Sequence, residues 1–171
     1  MIKNICVVGA GDWGQNHIKT LSKMGSLKGI VETDKKKLRL ISKVYDDLQT
    51  YVKLEDSFND DFDGYVIATP AETHFSLSKK VISAGFNVLI EKPMTLSVND
   101  AKELVSLSEQ KNVTVMVGHV LLFHPAIKKI KEMIEDNTIG ELQYIYSNRL
   151  NLGKIRAEEN VFWSFAPHDI A

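Results

Sequence analysis

The chain has 171 residues, 44% of them apolar and 25% charged, with a net charge of −1. That balance is ordinary for a globular protein that buries a core of its own, and it offers no electrostatic case for nucleic acid or an anionic membrane as a partner. The single cysteine, Cys6, excludes an intrachain disulfide and reads as a small core residue, which fits a reducing cytoplasm.

The N-terminal residues 1–8 are apolar but too short for a signal-peptide core, and they run straight into glycines. No stretch approaches the roughly 20 apolar residues of a membrane span. Residues 2–8, rich in β-branched side chains, predict a buried strand. Residues 12–24 predict a helix, with Ile18 and Leu21 at helical spacing and Gly25 as its stop. Residues 27–31 predict a second strand. Residues 34–44 predict a helix with a lysine-rich outer face, Leu38 and Ile41 facing inward. Tyr51 and Val52 read as a short third strand and residues 54–58 as a brief helix. Residues 65–68 predict a strand, 72–84 a helix closed by Gly85, and 87–90 another strand. Ser97 caps a helix through Gln110, and residues 113–117 predict the next strand.

Strands and helices alternate through this region, which predicts right-handed βαβ units: an α/β fold with a doubly wound parallel sheet of the Rossmann type. After Gly118 the rhythm changes. Residues 126–135 predict an amphipathic helix with Ile127, Ile130, Met133 and Ile134 on one stripe. Residues 142–147 alternate weakly, like an antiparallel strand, and residues 161–171 read as the start of another helix. The expected organisation is a dinucleotide-binding domain over residues 1–120 and an incomplete α+β domain over residues 121–171, because one strand and two helices cannot close a core.

Gly9-Ala10-Gly11-Asp12-Trp13-Gly14 is G-x-G-x-x-G, directly after a predicted strand and opening a predicted helix. That context makes the motif a dinucleotide fingerprint. Gly9 permits a tight turn, Gly11 lets backbone approach a pyrophosphate, and Gly14 lets helix and strand pack closely. The start of the helix then presents N–H groups and a partial positive charge to the phosphates. Two acids follow near the end of the second strand. Glu32 ends the apolar run and is the expected partner of the ribose hydroxyls, while Asp34 reads as a helix N-cap. A carboxylate there repels a 2′-phosphate, which favours NAD over NADP. Lys35-Lys36-Lys37 argues the other way if one of them reaches the ribose, and otherwise forms a solvated helix face.

Ligands of open parallel sheets bind beyond the carboxyl ends of the strands. Three predicted strand ends carry polar residues: the glycine turn, Thr69-Pro70 with His74 one turn into the next helix, and Glu91-Lys92-Pro93. A lysine partly desolvated beside a nicotinamide cation has its pKa lowered, which suits Lys92 to proton exchange with a substrate hydroxyl. The alternative is an exposed loop lysine.

With these motifs in this order, the sequence resembles the glucose–fructose oxidoreductase/inositol dehydrogenase/MocA family over essentially its whole length. The resemblance implies that Lys92 touches the reacting hydroxyl and that a histidine on the first long helix of a second domain completes proton transfer. His168 matches that histidine. Ser164 stands where an aspartate is common, and Asp169 would point elsewhere on a helix. It also implies cofactor contacts from Gly9, Gly11, Asp12, Trp13, Gly14, Glu32, Thr69, Pro70, His74, Glu91 and Lys92.

Gly118-His119, Phe123-His124-Pro125-Ala126, Ser147 to Asn151 and Trp163 to Asp169 are similar to a subgroup acting on nucleotide-linked sugars, often at ring position C3. Arg149 then reads either as a bidentate diphosphate ligand or as a surface ion pair. His119 and His124 read either as sugar-site or as structural histidines. No cluster has metal-ligand spacing and no G-x-S-x-G elbow is present, which argues against metal and serine-nucleophile chemistry.

The expected function is an NAD-dependent oxidoreductase moving a hydride between nicotinamide and a sugar or nucleotide-sugar ring hydroxyl, homo-oligomeric in its full-length form. The alternative is a non-catalytic dinucleotide-binding fragment or NAD-sensing module, since family members continue into a mainly antiparallel sheet.

Overall fold

The computed structural model of the chain describes residues 2–45, 47–148 and 166–170. The chain divides into two compact units, Met1–Gly118 and His119–Ala171.

In the first unit six strands form one sheet: β1 (Ile5–Val8), β2 (Leu27–Val31), β3 (Gln49–Tyr51), β4 (Gly64–Ile67), β5 (Asn87–Ile90) and β6 (Val115–Val117). Their order is β3-β2-β1-β4-β5-β6, and every neighbouring pair is parallel. The chain winds outward from β1 to β3, returns, and winds the other way through β4 to β6. This is the doubly wound topology the alternation predicts, with its switch point between β1 and β4.

The two faces of the sheet carry separate cores, because successive strand residues point to opposite sides. On one face Val7, Ile30 and Val66 pack with Ile18 of α1 (Asp12–Lys23) and with Leu38 and Ile41 of α2 (Lys35–Ile41). On the other, Cys6, Val8, Ile67 and Ile90 pack with Val81 and Ile82 of α3 (Ala71–Ser83) and with Leu104 of α4 (Val98–Lys111). Cys6 is fully buried, and that burial pushes its thiol pKa up, as befits a core residue. Two caps fall where the sequence puts them. Asp34 accepts the Lys36 and Lys37 N–H groups at the start of α2, and Ser97 accepts the Asp100 N–H at the start of α4.

Register brings the strand ends level. Val8 pairs with Val31 and with Ile67, Ile67 with Ile90, and Ile90 with Val117. Gly9, Glu32, Ala68, Glu91 and Gly118 therefore leave the sheet along one edge. The ladder continues for one more step there: the N–H groups of Gly9, Ala68, Glu91 and Gly118 donate to Val31, Val8, Ile67 and Ile90 at 2.8–2.9 Å.

The second unit contains a 3-10 turn (Val120–Phe123), α5 (Pro125–Glu135) and the four-residue helix α6 (Pro167–Ile170). The apolar stripe of α5 forms as predicted, yet no residue of the helix is buried. The strand expected over residues 142–147 does not form. A strand needs a neighbour to take its backbone hydrogen bonds, and among the described residues none pairs with this segment.

Candidate functional site

The turn after β1 is shaped by two glycines that admit no side chain. Gly9 has φ +93°, and a Cβ there would lie 2.8 Å from the Ala68 carbonyl oxygen. A Cβ on Gly14 would lie 2.1 Å from the Gly9 carbonyl oxygen, so α1 packs directly on the turn. Gly11 differs: nothing lies within 4 Å of its missing Cβ. It is the N-cap of α1 and has no side chain to cap the first-turn N–H groups. Gln15 pins the turn by donating to the Ala10 carbonyl at 3.2 Å. The result is a rigid loop with one open backbone face at a helix start, which fits a pyrophosphate.

Glu32 stands at the rim of this turn. Its Oε2 accepts the Ala10 N–H at 3.0 Å and its Oε1 accepts the Asp34 N–H at 2.9 Å. Beside it runs an open cleft between the turn and α2, lined by Ala10, Gly11, Asp12, Gln15, Lys37, Leu40 and Ile41. Lys37 alone of the lysine run borders this cleft, while Lys35 and Lys36 do not line it.

The next two strand ends are joined to each other. Thr69 follows β4, and Pro70 is the N-cap of α3. His74 is 1% exposed, with Nε2 at 2.8 Å from the Thr69 carbonyl and Nδ1 at 2.8 Å from the Pro93 carbonyl. Both ring nitrogens are engaged inside the protein, so His74 joins the loop after β4 to the loop after β5. After β5 come Glu91, Lys92 and Pro93, with a cis Lys92–Pro93 peptide. Glu91 is buried, at 5% exposure. Its Oε1 lies 2.6 Å from His17 Nε2, and its Oε2 accepts the Lys92 N–H at 3.2 Å. Burial pushes the Glu91 carboxyl up, but hydrogen bonds from His17, Trp13 and the Lys92 backbone outweigh it and hold the group below the usual carboxylate range.

Residues 3–119 match the oxidoreductase family with an NAD-binding Rossmann fold, that of glucose–fructose oxidoreductase, inositol dehydrogenase and MocA. The chain belongs to this family. It is 26% identical over 166 residues to UDP-N-acetylglucosamine 3-dehydrogenase of Acidithiobacillus ferrooxidans, covering 96% of this chain and 51% of that protein. Among solved structures it resembles GenD2 from gentamicin A biosynthesis in complex with NAD (27% identity, TM-score 0.74, 80% of this chain and 40% of that one). It also resembles the WlbA dehydrogenase of Bordetella pertussis in complex with NADH and UDP-GlcNAcA (25% identity, TM-score 0.75, 80% and 43%). The chain thus spans about half the length, or less, of each of these relatives.

The remaining residues singled out in the sequence belong to the second unit. His124 is the N-cap of α5, its Nδ1 accepting the Ala126 N–H at 3.2 Å. His119 occupies the position before the 3-10 turn without a side-chain capping bond, and its buried Nδ1 has no hydrogen-bond partner among the described residues. Arg149 and Ser164 lie outside the described residues. The backbone of His168 belongs to α6, and its side chain lies outside them too. Asp169 accepts the Ser147 hydroxyl at 3.2 Å. No three His, Cys, Asp or Glu side chains gather as metal ligands among the described residues. No described helix is long and apolar enough to cross a membrane.

Sequence reasoning missed two residues. His17 reaches Glu91 across the sheet edge. Its one signal was its place four residues after Trp13, on the same side of α1. Lys37 borders the cleft beside the glycine turn, a position that composition alone does not separate from Lys35 and Lys36.

Proposed function

We propose that this chain carries the cofactor half of an NAD-dependent oxidoreductase acting on a ring hydroxyl of a sugar or nucleotide sugar, with C3 as the reacting position. The second unit then begins the domain that holds substrate and, in the family, joins subunits. What carries the reading is one alignment: Glu32, the glycine turn and Glu91-Lys92-Pro93 leave a single parallel sheet along one edge, at the carboxyl ends of β2, β1 and β5, with the end of β4 between the last two. The dehydrogenase names of its relatives support an enzyme over an NAD-sensing module.

The residues divide the work as follows. Backbone N–H groups of residues 11–14 bind the pyrophosphate, and Glu32 accepts from the adenosine ribose hydroxyls. Thr69, Pro70 and Asp12 line the path between the two ends of the dinucleotide. When bound, the nicotinamide supplies the carbon that takes the hydride. Lys92 takes the proton of the substrate hydroxyl, with His168 as second proton-handling group. His119, His124 and Arg149 are assigned to binding the sugar nucleotide, the guanidinium to its diphosphate.

Two measurements test this. NAD at about 100 times its Kd should add about 2.7 kcal/mol of stability, raising the melting temperature by about 5–10 °C; no shift with NAD or NADP rejects cofactor binding. NADH should form with a nucleotide-sugar panel, and Lys92→Ala should abolish it with NAD affinity kept. An active Lys92→Ala enzyme removes the proton role from Lys92.

A further inference from the structure

A carboxylate as buried as Glu91 is costly to the fold unless each oxygen is partnered. Its partners come from two directions. His17 Nε2 lies 2.6 Å from Oε1, and the Trp13 indole acts on the same carboxylate. Trp13 and His17 are four residues apart, one above the other on α1. Oε2 accepts the Lys92 backbone N–H. On the far side, a Cβ at Gly118 would lie 3.0 Å from Oε2, so the carboxylate is also backed by the start of the loop after β6. The residue after Lys92 is held as well, since the Pro93 carbonyl meets His74 Nδ1. Lys92 therefore sits between two anchored neighbours, one tied to α1 and the other to α3.

We infer that His17 is a positioning residue for Lys92: it holds the Glu91 carboxylate, which in turn holds the Lys92 backbone, so the helix that opens at the glycine turn also sets the lysine. The inference rests on the reading of Lys92 as the group that handles the substrate proton. His17 touches neither cofactor nor substrate in this scheme. Its contribution is geometric, and displacing a reacting group by an ångström costs about a hundredfold in rate.

The test uses three variants in the full chain. His17→Met fills the space without a donor, His17→Ala removes both, and His17→Gln keeps an N–H that can reach Glu91. Amide hydrogen exchange is read at Lys92 and, as an internal standard, at the β1 and β4 core residues Val7 and Ile67. The Met and Ala variants should speed exchange at Lys92 about tenfold beyond any change at the core amides. The Gln variant should return Lys92 to the wild-type rate. NAD affinity, read from fluorescence of Trp13 in a Trp163→Phe background, should be unchanged. Turnover should fall about a hundredfold in the Met variant with little change in substrate KM, and recover in the Gln variant.

Exchange at Lys92 that rises only in step with the core overturns the inference. So does a Met or Ala variant that loses the whole fold, because His17 is then a stability residue and no more. Selective loosening of Lys92 in a protein whose Lys92→Ala variant still turns over would uphold the positioning and reject the proton role.

Discussion

Glu32 and Ala10 are 22 residues apart in the chain, and the carboxylate of one accepts the backbone N–H of the other at 3.0 Å. The acid at the end of β2 is thereby fastened to the middle of the glycine turn. The Asp34 N–H holds its second oxygen at 2.9 Å, so the group is locked in place before any ligand arrives. Oε2 keeps a lone pair for a hydroxyl donor.

Replacing Glu32 by Ala should therefore weaken NAD binding by about 1.5–3 kcal/mol, some tenfold or more, because hydrogen bonds to a charged acceptor are lost. Binding of NADP should improve relative to NAD, since the negative charge that repels a 2′-phosphate is gone. Titration calorimetry with both dinucleotides reads the ratio. If the ratio stays put, Glu32 is not the residue that selects, and Lys37, which borders the same cleft, becomes the next to replace.

The glycines of the turn should separate by role. Gly14→Ala drives a Cβ to 2.1 Å from the Gly9 carbonyl oxygen and should destabilise the fold by about 3 kcal/mol or more. Gly11→Ala meets nothing within 4 Å. Its melting temperature should stay close to wild type while NAD affinity drops, because the methyl stands on the open face of the loop. Equal loss of stability in both variants would contradict this division.

Glu91 gives the protein a sensitivity to acid with a definite sign. Its pKa in the folded chain lies below the ordinary range of a free carboxyl. A group with a depressed folded pKa contributes stability that is complete above the unfolded value and is lost as pH falls through the folded one. Glu91→Gln should cost about 1–3 kcal/mol at neutral pH. The gap to wild type should close between about pH 5 and pH 3 in urea denaturation. Exposed acids such as Asp63, also held low by hydrogen bonds from Lys3 and the Asn4 backbone, are common to both proteins and cancel in the comparison. A gap that stays constant into acid would mean the Glu91 contacts carry no charge-linked stability.

His74→Phe keeps an aromatic ring in a fully buried position but leaves the Thr69 and Pro93 carbonyls without their partner. A neutral imidazole donates one N–H, so one of the two hydrogen bonds is lost and the expected cost is about 1–3 kcal/mol. NAD affinity should also fall, because both loops it joins face the ligand edge. Unaltered stability on thermal melting would show that neither contact matters.

Much of the architecture was legible in the residues. The strands β2 and β5 have the bounds their apolar runs predict, and Asp34 and Ser97 cap the helices that follow them. Other bounds moved, because a strand ends where its neighbours stop. Residues 2–4 lie outside β1: the Asn4 N–H donates to the Asp63 side chain at 2.7 Å instead of joining the sheet. β3 forms over Gln49–Tyr51, earlier than its apolar residues suggest, since β2 offers partners only from Gly29 to Val31. The alternation of residues 142–147 is real in composition and forms no strand, for pattern alone supplies no partner.

The sequence by itself determined the α/β class, the glycine turn with its acid, and a lysine at the mouth of a later strand. These follow from short-range spacing, where each residue constrains only its near neighbours. Only the tertiary structure decided that His17 meets Glu91 across 74 residues, that His74 clamps Thr69 to Pro93, and that Lys37 alone of three lysines borders the cleft. Such contacts depend on strand order and register. Those are set by how whole layers pack, and no local pattern records them.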